Sequence, residues 1–225
     1  MVFSASQYIP IQQLVIRGAS VYCAGSLMDA GDQLSRLVDA DGHLGAMEGL
    51  HAIIRGFRGN FAIIIEDRSG TIFACADKIK SYPLFYSLEG GVFRCGFDPS
   101  ALKESLPVTT RNENAFLEFS MAGYVTGGET LYNEVRQLRG GETVYYNGFS
   151  VALQEYYRFY HPENQQRTQQ EWIESLHATT VLAFERLIKK VNGRTILVPL
   201  SGGLDSRLVL VMLKHLGYDR IQTFS

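Results

Sequence analysis

Thr195-Ile196-Leu197-Val198-Pro199-Leu200-Ser201-Gly202-Gly203-Leu204-Asp205-Ser206-Arg207 is the stretch on which the reading of the chain turns. An apolar run feeds a Ser-Gly-Gly turn, an amphipathic segment follows from Leu208 to Leu216, and Gly217 closes it. That order predicts strand, glycine loop and helix. A loop so placed points backbone N–H groups and the positive end of a helix dipole outward, and both suit an anion such as phosphate. Gly202 and Gly203 let a ligand approach the backbone without a Cβ in the way. Ser201 and Ser206 offer hydroxyls, and Asp205 offers a carboxylate oxygen to Mg²⁺. The alternative is an ordinary strand-to-helix turn.

The loop is not a Walker loop, because the chain contains no Gly-Lys dipeptide, and the dinucleotide fingerprint G-x-G-x-x-G is absent too. Ser-Gly-Gly-x-Asp-Ser after a buried strand resembles the pyrophosphate-binding loop of the ATP pyrophosphatases, which cleave ATP between the α- and β-phosphates.

The 225 residues suffice for one large domain, or for one domain and part of another. A net charge of −2 gives no reason to expect a nucleic-acid partner. The three cysteines, Cys23, Cys75 and Cys95, are scattered and form no C-x-x-C, so a zinc ribbon or redox pair is not expected. Their sparseness fits reduced thiols in a cytoplasm. The first residues show no basic segment followed by a long apolar run, and Phe61–Ile65 is far too short to span a bilayer. The five histidines make no H-E-x-x-H pattern.

Taken in order, residues 1–55 are the hardest to read. Leu14–Ile16 and Ala19–Tyr22 look like short strands around Gly18, and Asp29–Leu37 and Leu44–Ile54 are candidate helices. From Phe57 the signals sharpen. Asn60–Asp67 and Thr71–Ala76 read as a hairpin, and Tyr82–Tyr86 and Val92–Cys95 as two further strands of one antiparallel meander. A helix is expected at Asn112–Ala122. Thr143–Tyr146 and Val151–Leu153 flank the turn dipeptide Asn147-Gly148. The polar passage Tyr156–Arg167 is placed as a linker between residues 1–160 and a second domain at 168–225. Thr168-x-x-Glu171 is a capping box, and Trp172, Leu176, Ala183, Leu187 and Val191 recur behind it as a core-facing stripe. Lys189 and Lys190 complement the last turn, and Gly193 is the expected stop. Ile221–Phe224 reads as a second strand. One βαβ unit cannot cover a parallel sheet on both faces, so the second domain is expected to be truncated.

With these pieces placed, the chain from about Phe57 to Ser225 resembles the asparagine synthetase family. Arg58-Gly59-Asn60-Phe61-Ala62 is similar to that family's Arg-Gly-x-Phe-Ala strand. Asp77, Lys78 and then Tyr82-Pro83-Leu84-Phe85-Tyr86 are similar to its Arg-Asp-x-x-Gly-x-Lys-Pro-Leu-Tyr-Tyr segment. Gly123-Tyr124-Val125, Glu129-Thr130-Leu131-Tyr132 and Gly140-Gly141 resemble a later passage, and Leu200-Ser201-Gly202-Gly203-Leu204-Asp205-Ser206 matches the family's most specific motif. The resemblance implies an α+β domain followed by an α/β one. The first is an N-terminal-nucleophile-hydrolase-like αββα sandwich of two antiparallel sheets. The second is the start of a parallel adenine-nucleotide-binding sheet. It implies a ligase that adenylates a carboxylate, releases pyrophosphate and forms an amide. Leu200, Ser201, Gly202, Gly203, Leu204, Asp205 and Ser206 would hold ATP, with Asp205 the catalytic residue and the Mg²⁺ ligand. The implied partners are a small-molecule or peptide carboxylate and an ammonia or amine donor, with no nucleic acid, no membrane and a possible homodimer, in the cytoplasm.

One departure matters. Glutamine-using members carry a cysteine directly after the initiator Met, where this chain has Val2; the early Arg-Gly-Pro-Asp segment and the Asn-Gly-Glu contacts are also absent. Cys23, being internal, has no free α-amine, and Ser4 or Ser6 would need processing. The first domain therefore looks like a glutaminase fold without its nucleophile, as in β-lactam synthetases and lasso-peptide-type cyclases. Arg207 offers a partner for a carboxylate or a solvated helix residue. The competing readings are an ATP pyrophosphatase that thiolates or amidates RNA or a cofactor, and a degenerate nucleotide-binding scaffold.

Overall fold

The computed structural model describes the backbone of residues 2–3 and all of residues 9–27, 30–161 and 166–225. Ser4, Ser6 and Asp29 lie outside the described residues. The chain divides into two compact units, Met1–Tyr160 and His161–Ser225.

The first unit contains strands β1 (Val2–Phe3), β2 (Ile11–Ile16) and β3 (Ala19–Leu27), helices α1 (Ala30–Ser35) and α2 (Met47–Ile54), and strands β4 (Gly59–Glu66) and β5 (Ile72–Ala76). Strands β6 (Phe85–Glu89) and β7 (Val92–Gly96), helices α3 (Pro99–Glu104) and α4 (Glu113–Ala122), and strands β8 (Arg136–Gln137), β9 (Glu142–Tyr146) and β10 (Val151–Glu155) follow. The six-stranded sheet has the order β10-β9-β5-β4-β3-β2 and the four-stranded sheet the order β1-β7-β6-β8. The second sheet is mixed rather than purely antiparallel, because β1 pairs parallel to β7.

The layering follows from strand periodicity. On the central strand β4, Phe61, Ile63 and Ile65 point to one side and Ala62 and Ile64 to the other. The first set packs with Leu34 of α1, with Leu37 just after it, and with Leu50 and Ile54 of α2. The second set packs with Phe93 and Cys95 of the four-stranded sheet. On the far side of that sheet Leu102 of α3 packs with Val135, against Phe85. The order is helix, sheet, sheet, helix, and Phe61–Ile65 of β4 is apolar throughout because both of its faces are buried.

The expected single meander is not formed, since β6 and β7 belong to the other sheet from β4 and β5. The cause is the passage after Ala76. The buried carboxylate of Asp77 accepts hydrogen bonds from the backbone N–H groups of Phe61 (2.8 Å), Ile79 (2.9 Å) and Ser81 (3.2 Å). It turns the chain out of one sheet so that it enters the other at Phe85. Lys80 takes a left-handed φ of 55° there, at the place where the resembled segment has glycine, and its ammonium donates to the Gln137 side chain.

Element edges also move. The first strands are longer than anticipated, α1 is shorter, and α2 begins at Met47 because Leu44 is held in a bridge to Val38. Asp67 holds that segment: its carboxylate accepts N–H groups from Leu44, Ser69 and Thr71. Burial pushes this carboxyl's pKa up, but these hydrogen bonds and the Ser69 hydroxyl outweigh it and hold it below the usual range.

His51 of α2 is buried, and its Nε2 lies 2.8 Å from Thr143 Oγ1. The Thr143 hydroxyl donates to Gln154 O at 3.1 Å, so Nε2–H is the donor to Thr143. Burial, then the charge of Arg55, pulls the His51 pKa below 6.5, against the opposing charge of Glu48. The unfolded chain then binds the extra proton first. Stability from this site is fully present above about pH 6.5 and falls as pH drops towards the lower folded-state value. Denaturant unfolding at pH 7.5 and 5.5 is expected to show a larger loss for the parent than for His51→Gln. An equal loss would remove His51 from the account.

The second unit holds α5 (Gln169–Val191), β11 (Ile196–Pro199), α6 (Leu204–His215) and β12 (Ile221–Phe224), with β11 and β12 parallel. The Thr168–Glu171 capping box forms in both directions. The left-handed C-cap is Asn192 (φ 48°), one residue before the expected Gly193 stop. No residue of α5 is buried, so its Trp172–Val191 stripe is not the core face that its spacing suggested.

Candidate functional site

β11 carries the chain into the loop and α6 carries it out. The ladder extends one residue past Pro199, with Leu200 N–H donating to Phe224 O at 2.7 Å. The turn is then held by its two serines. Ser201 N–H donates to Ser206 Oγ (3.2 Å), Gly203 N–H donates to Ser201 Oγ (3.2 Å), and the hydroxyls lie 3.3 Å apart. Gly203 is the N-cap of α6 and has no side chain with which to cap it. Asp205 sits in the first turn, exposed, where the helix dipole favours negative charge. Because the cap position belongs to Gly203, helix capping does not account for this aspartate. Leu204 and Arg207 are exposed as well.

Neither glycine is demanded by the backbone conformation, and Gly202 is not demanded by packing either. Gly203 has φ −77°, and Gly202 is not among the glycines of positive φ. A Cβ on Gly202 would meet nothing within 4 Å, and one on Gly203 only Ser201 Oγ at 3.3 Å. The structure thus brings Ser201, Gly202, Gly203, Asp205 and Ser206 into one exposed turn, with Leu200 on the strand side and Leu204 opening the helix. Asp205 is the one carboxylate in Leu200–Arg207, and among the described residues no group of three His, Cys, Asp or Glu side chains gathers as a metal cluster.

In the first unit a pocket of about 190 Å³ opens beside Phe57, Phe61, Asp77, Lys78, Ile79 and Tyr156. No Ser, Thr or Cys lines it. Asp77 spends its carboxylate on backbone N–H groups, and the Lys78 ammonium lies over the Tyr157 ring, 5.1 Å from its centre. The three thiols are free and buried. Burial pushes Cys23 up to about 11 and Cys95 up to about 12, and raises Cys75 further. Thiols so protonated are poor nucleophiles. Val2 pairs with Cys95 in the β1–β7 register.

Residues 39–157 match the sequence model of the glutamine amidotransferase domain. The chain belongs to that family. The matched stretch begins before α2 and ends after β10, so the amidotransferase domain is carried by the Met1–Tyr160 unit. No curated protein matches the chain. Among solved structures, it is similar to a glutamine phosphoribosylpyrophosphate (PRPP) amidotransferase from B. subtilis complexed with ADP and GMP. That match has 14% identity and a TM-score of 0.38, and covers 65% of this chain and 31% of the other. A structure described as the allosteric regulatory enzyme of purine biosynthesis matches at 14% identity and a TM-score of 0.41, covering 95% of this chain and 46% of that one. The chain therefore spans less than half the length of either. Among the described residues no helix is long and apolar enough to cross a membrane.

Proposed function

We propose that this amidotransferase-family chain belongs to an ATP-dependent, AMP-forming amide ligase of the asparagine synthetase type, which adenylates a carboxylate and joins it to ammonia or an amine. The observation that carries the reading is the Ser201–Ser206 turn. It holds two glycines that backbone conformation does not require, and at Gly202 packing does not require one either, between a parallel strand and the N-terminus of a helix. Open space over Gly202 fits close approach of a phosphate to the backbone. The serines hold the turn, the free N–H groups of the first helical turn and the dipole attract the anion, and Leu200 offers an apolar contact beside the strand. The exposed Asp205 carboxylate fits an oxygen ligand for Mg²⁺. Bound there, Mg²⁺ would supply positive charge to the phosphate oxygens of the leaving pyrophosphate.

The buried, protonated state of Cys23, Cys75 and Cys95 favours an amine that arrives with the substrate, or free ammonia, over ammonia released from glutamine by one of these thiols. This is the pattern of the β-lactam and lasso-peptide-type relatives. Buried reduced thiols also fit a reducing, cytoplasmic setting.

Gly202→Val tests the role of the loop. A side chain at Gly202 meets open space, so thermal unfolding of the variant should match the parent. Calorimetric titration with Mg²⁺-ATP should then show binding to the parent and at least tenfold weaker binding to the variant, about 1.4 kcal/mol or more. Equal affinity in the two proteins would make the loop an ordinary turn.

A further inference from the structure

The pocket beside Asp77 has walls of three buried rings, Phe57, Phe61 and Tyr156. Phe57 and Phe61 meet edge to face, their ring centres 5.8 Å apart. Tyr156 is fixed from several sides. Its hydroxyl donates to Ala76 O at 2.8 Å, its backbone N–H donates to Gly141 O at 2.9 Å, and its carbonyl accepts Arg55 Nε–H at 3.0 Å. The exposed part of the lining is Gly59, Asn60, Lys78 and Ile79. The Asp77 carboxylate holds that part in place by accepting Ile79 N–H at 2.9 Å. Apolar walls with few polar groups, formed before anything binds, are the usual make of a small-molecule site.

Volume sets the size of the ligand. An apolar cavity of about 150 Å³ takes up benzene. At about 190 Å³ this pocket holds a benzene ring and a short arm. The Ile79 side chain is 77% exposed beside it, and a ligand that covers this side chain gains apolar burial.

Charge decides what the arm carries. Asp77 spends its carboxylate on the N–H groups of Phe61, Ile79 and Ser81. The Lys78 ammonium has no carboxylate partner among the described residues, and its neighbour is the face of Tyr157, 5.1 Å away. We propose that this pocket binds a small arylalkanoic acid, phenylacetate being the simplest, with the ring among Phe57, Phe61 and Tyr156 and the carboxylate at the Lys78 ammonium. Aromatic rings favour edge and offset contacts with a ligand ring, and the ammonium supplies the one free charge in the lining. An amino acid such as glutamine does not fit, because its α-ammonium would face the Lys78 charge while the Asp77 carboxylate is already taken. The lining holds no Ser, Thr or Cys nucleophile, so the site binds without reacting. It lies within the Met1–Tyr160 unit and does not depend on adenylation at the Ser201–Ser206 turn.

Amide NMR titration of the full chain with phenylacetate tests this. Saturation is expected with a Kd of about 1 mM, ordinary for a ligand of about ten non-hydrogen atoms, with shifts at Gly59, Asn60, Lys78 and Ile79. Lys78→Met keeps an apolar stem at an exposed position, so its melting curve should match the parent. Its affinity for phenylacetate should fall about fivefold, the scale of an exposed ion pair, while uncharged benzyl alcohol should bind both proteins alike. Asp205→Asn should bind phenylacetate as the parent does, which separates this site from the phosphate loop. Glutamine should give no saturating shifts at these amides. No saturation by about 10 mM phenylacetate, tenfold above the expected Kd, would overturn the proposal. So would shifts confined to other residues, unchanged affinity in Lys78→Met, weakened affinity in Asp205→Asn, or saturating shifts with glutamine at the same amides.

Discussion

Replacing Asp77 by alanine is expected to destabilise the Met1–Tyr160 unit by about 3–5 kcal/mol, the largest stability effect anticipated for a single polar side chain here. Its carboxylate accepts three backbone N–H groups, from Phe61, Ile79 and Ser81. Alanine leaves those donors without a partner in a buried place, at about 1–3 kcal/mol for each group that water cannot reach. The same residue ties in a third segment through its carbonyl, which accepts Gly141 N–H at 2.8 Å. Asp77→Asn keeps one acceptor oxygen and should lose less than half as much. Urea denaturation of the three proteins measures the difference. A loss under about 1 kcal/mol for Asp77→Ala, within the range of surface substitutions and small contacts, would mean that the crossover between the sheets is held by packing alone.

This aspartate also shows where reading the sequence stops. β4, β5, β9 and α4 are visible because their signals are local: runs of β-branched residues, Asn147-Gly148, and Asn112 capping α4 through Ala115 N–H. The position of β7 is visible in the same way, but β6 begins at Phe85, three residues past the expected Tyr82, and the sheet that holds them both is not visible. Hydrophobic alternation says that a strand has a buried face and is silent about which sheet supplies it. The deciding contact, Asp77 to Phe61, spans 16 residues. α3 was legible in principle: Asp98 accepts Ser100 N–H and Pro99 opens the helix, an N-terminal signal that six residues of helix are too few to reinforce by periodicity. β1 and β8, at two residues each, leave no pattern at all.

The candidate loop was the most legible feature, since the strand falls where its sequence places it and a helix follows Ser-Gly-Gly, although α6 begins at Leu204 rather than at the expected Leu208. Its internal bonding was not legible. That Ser206 reaches back to Ser201, and that Gly203 rather than Asp205 is the N-cap, are properties of the folded turn. The stripe on α5 marks the opposite limit. Periodicity shows that Trp172 and Leu176 share an apolar face, yet they are 41% and 69% exposed. A pattern identifies a face suited to burial but not what covers it.

The account rests most heavily on adenylation at the Ser201–Ser206 turn, and ATP–pyrophosphate exchange with candidate carboxylates, in the full-length protein, measures that step directly. Asp205→Asn preserves side-chain shape and removes charge. The backbone N–H groups remain, so ATP binding should weaken only moderately. The chemical step should suffer more, because negative charge grows on the departing pyrophosphate in the transition state. Loss of one electrostatic contact of this kind is worth about 2.7–4 kcal/mol, or roughly 10²–10³ in rate. The account predicts carboxylate-dependent exchange by the parent and a fall of that size in the variant. No exchange by the parent with any carboxylate, or a variant within about threefold of it, well below the expected loss, would contradict it.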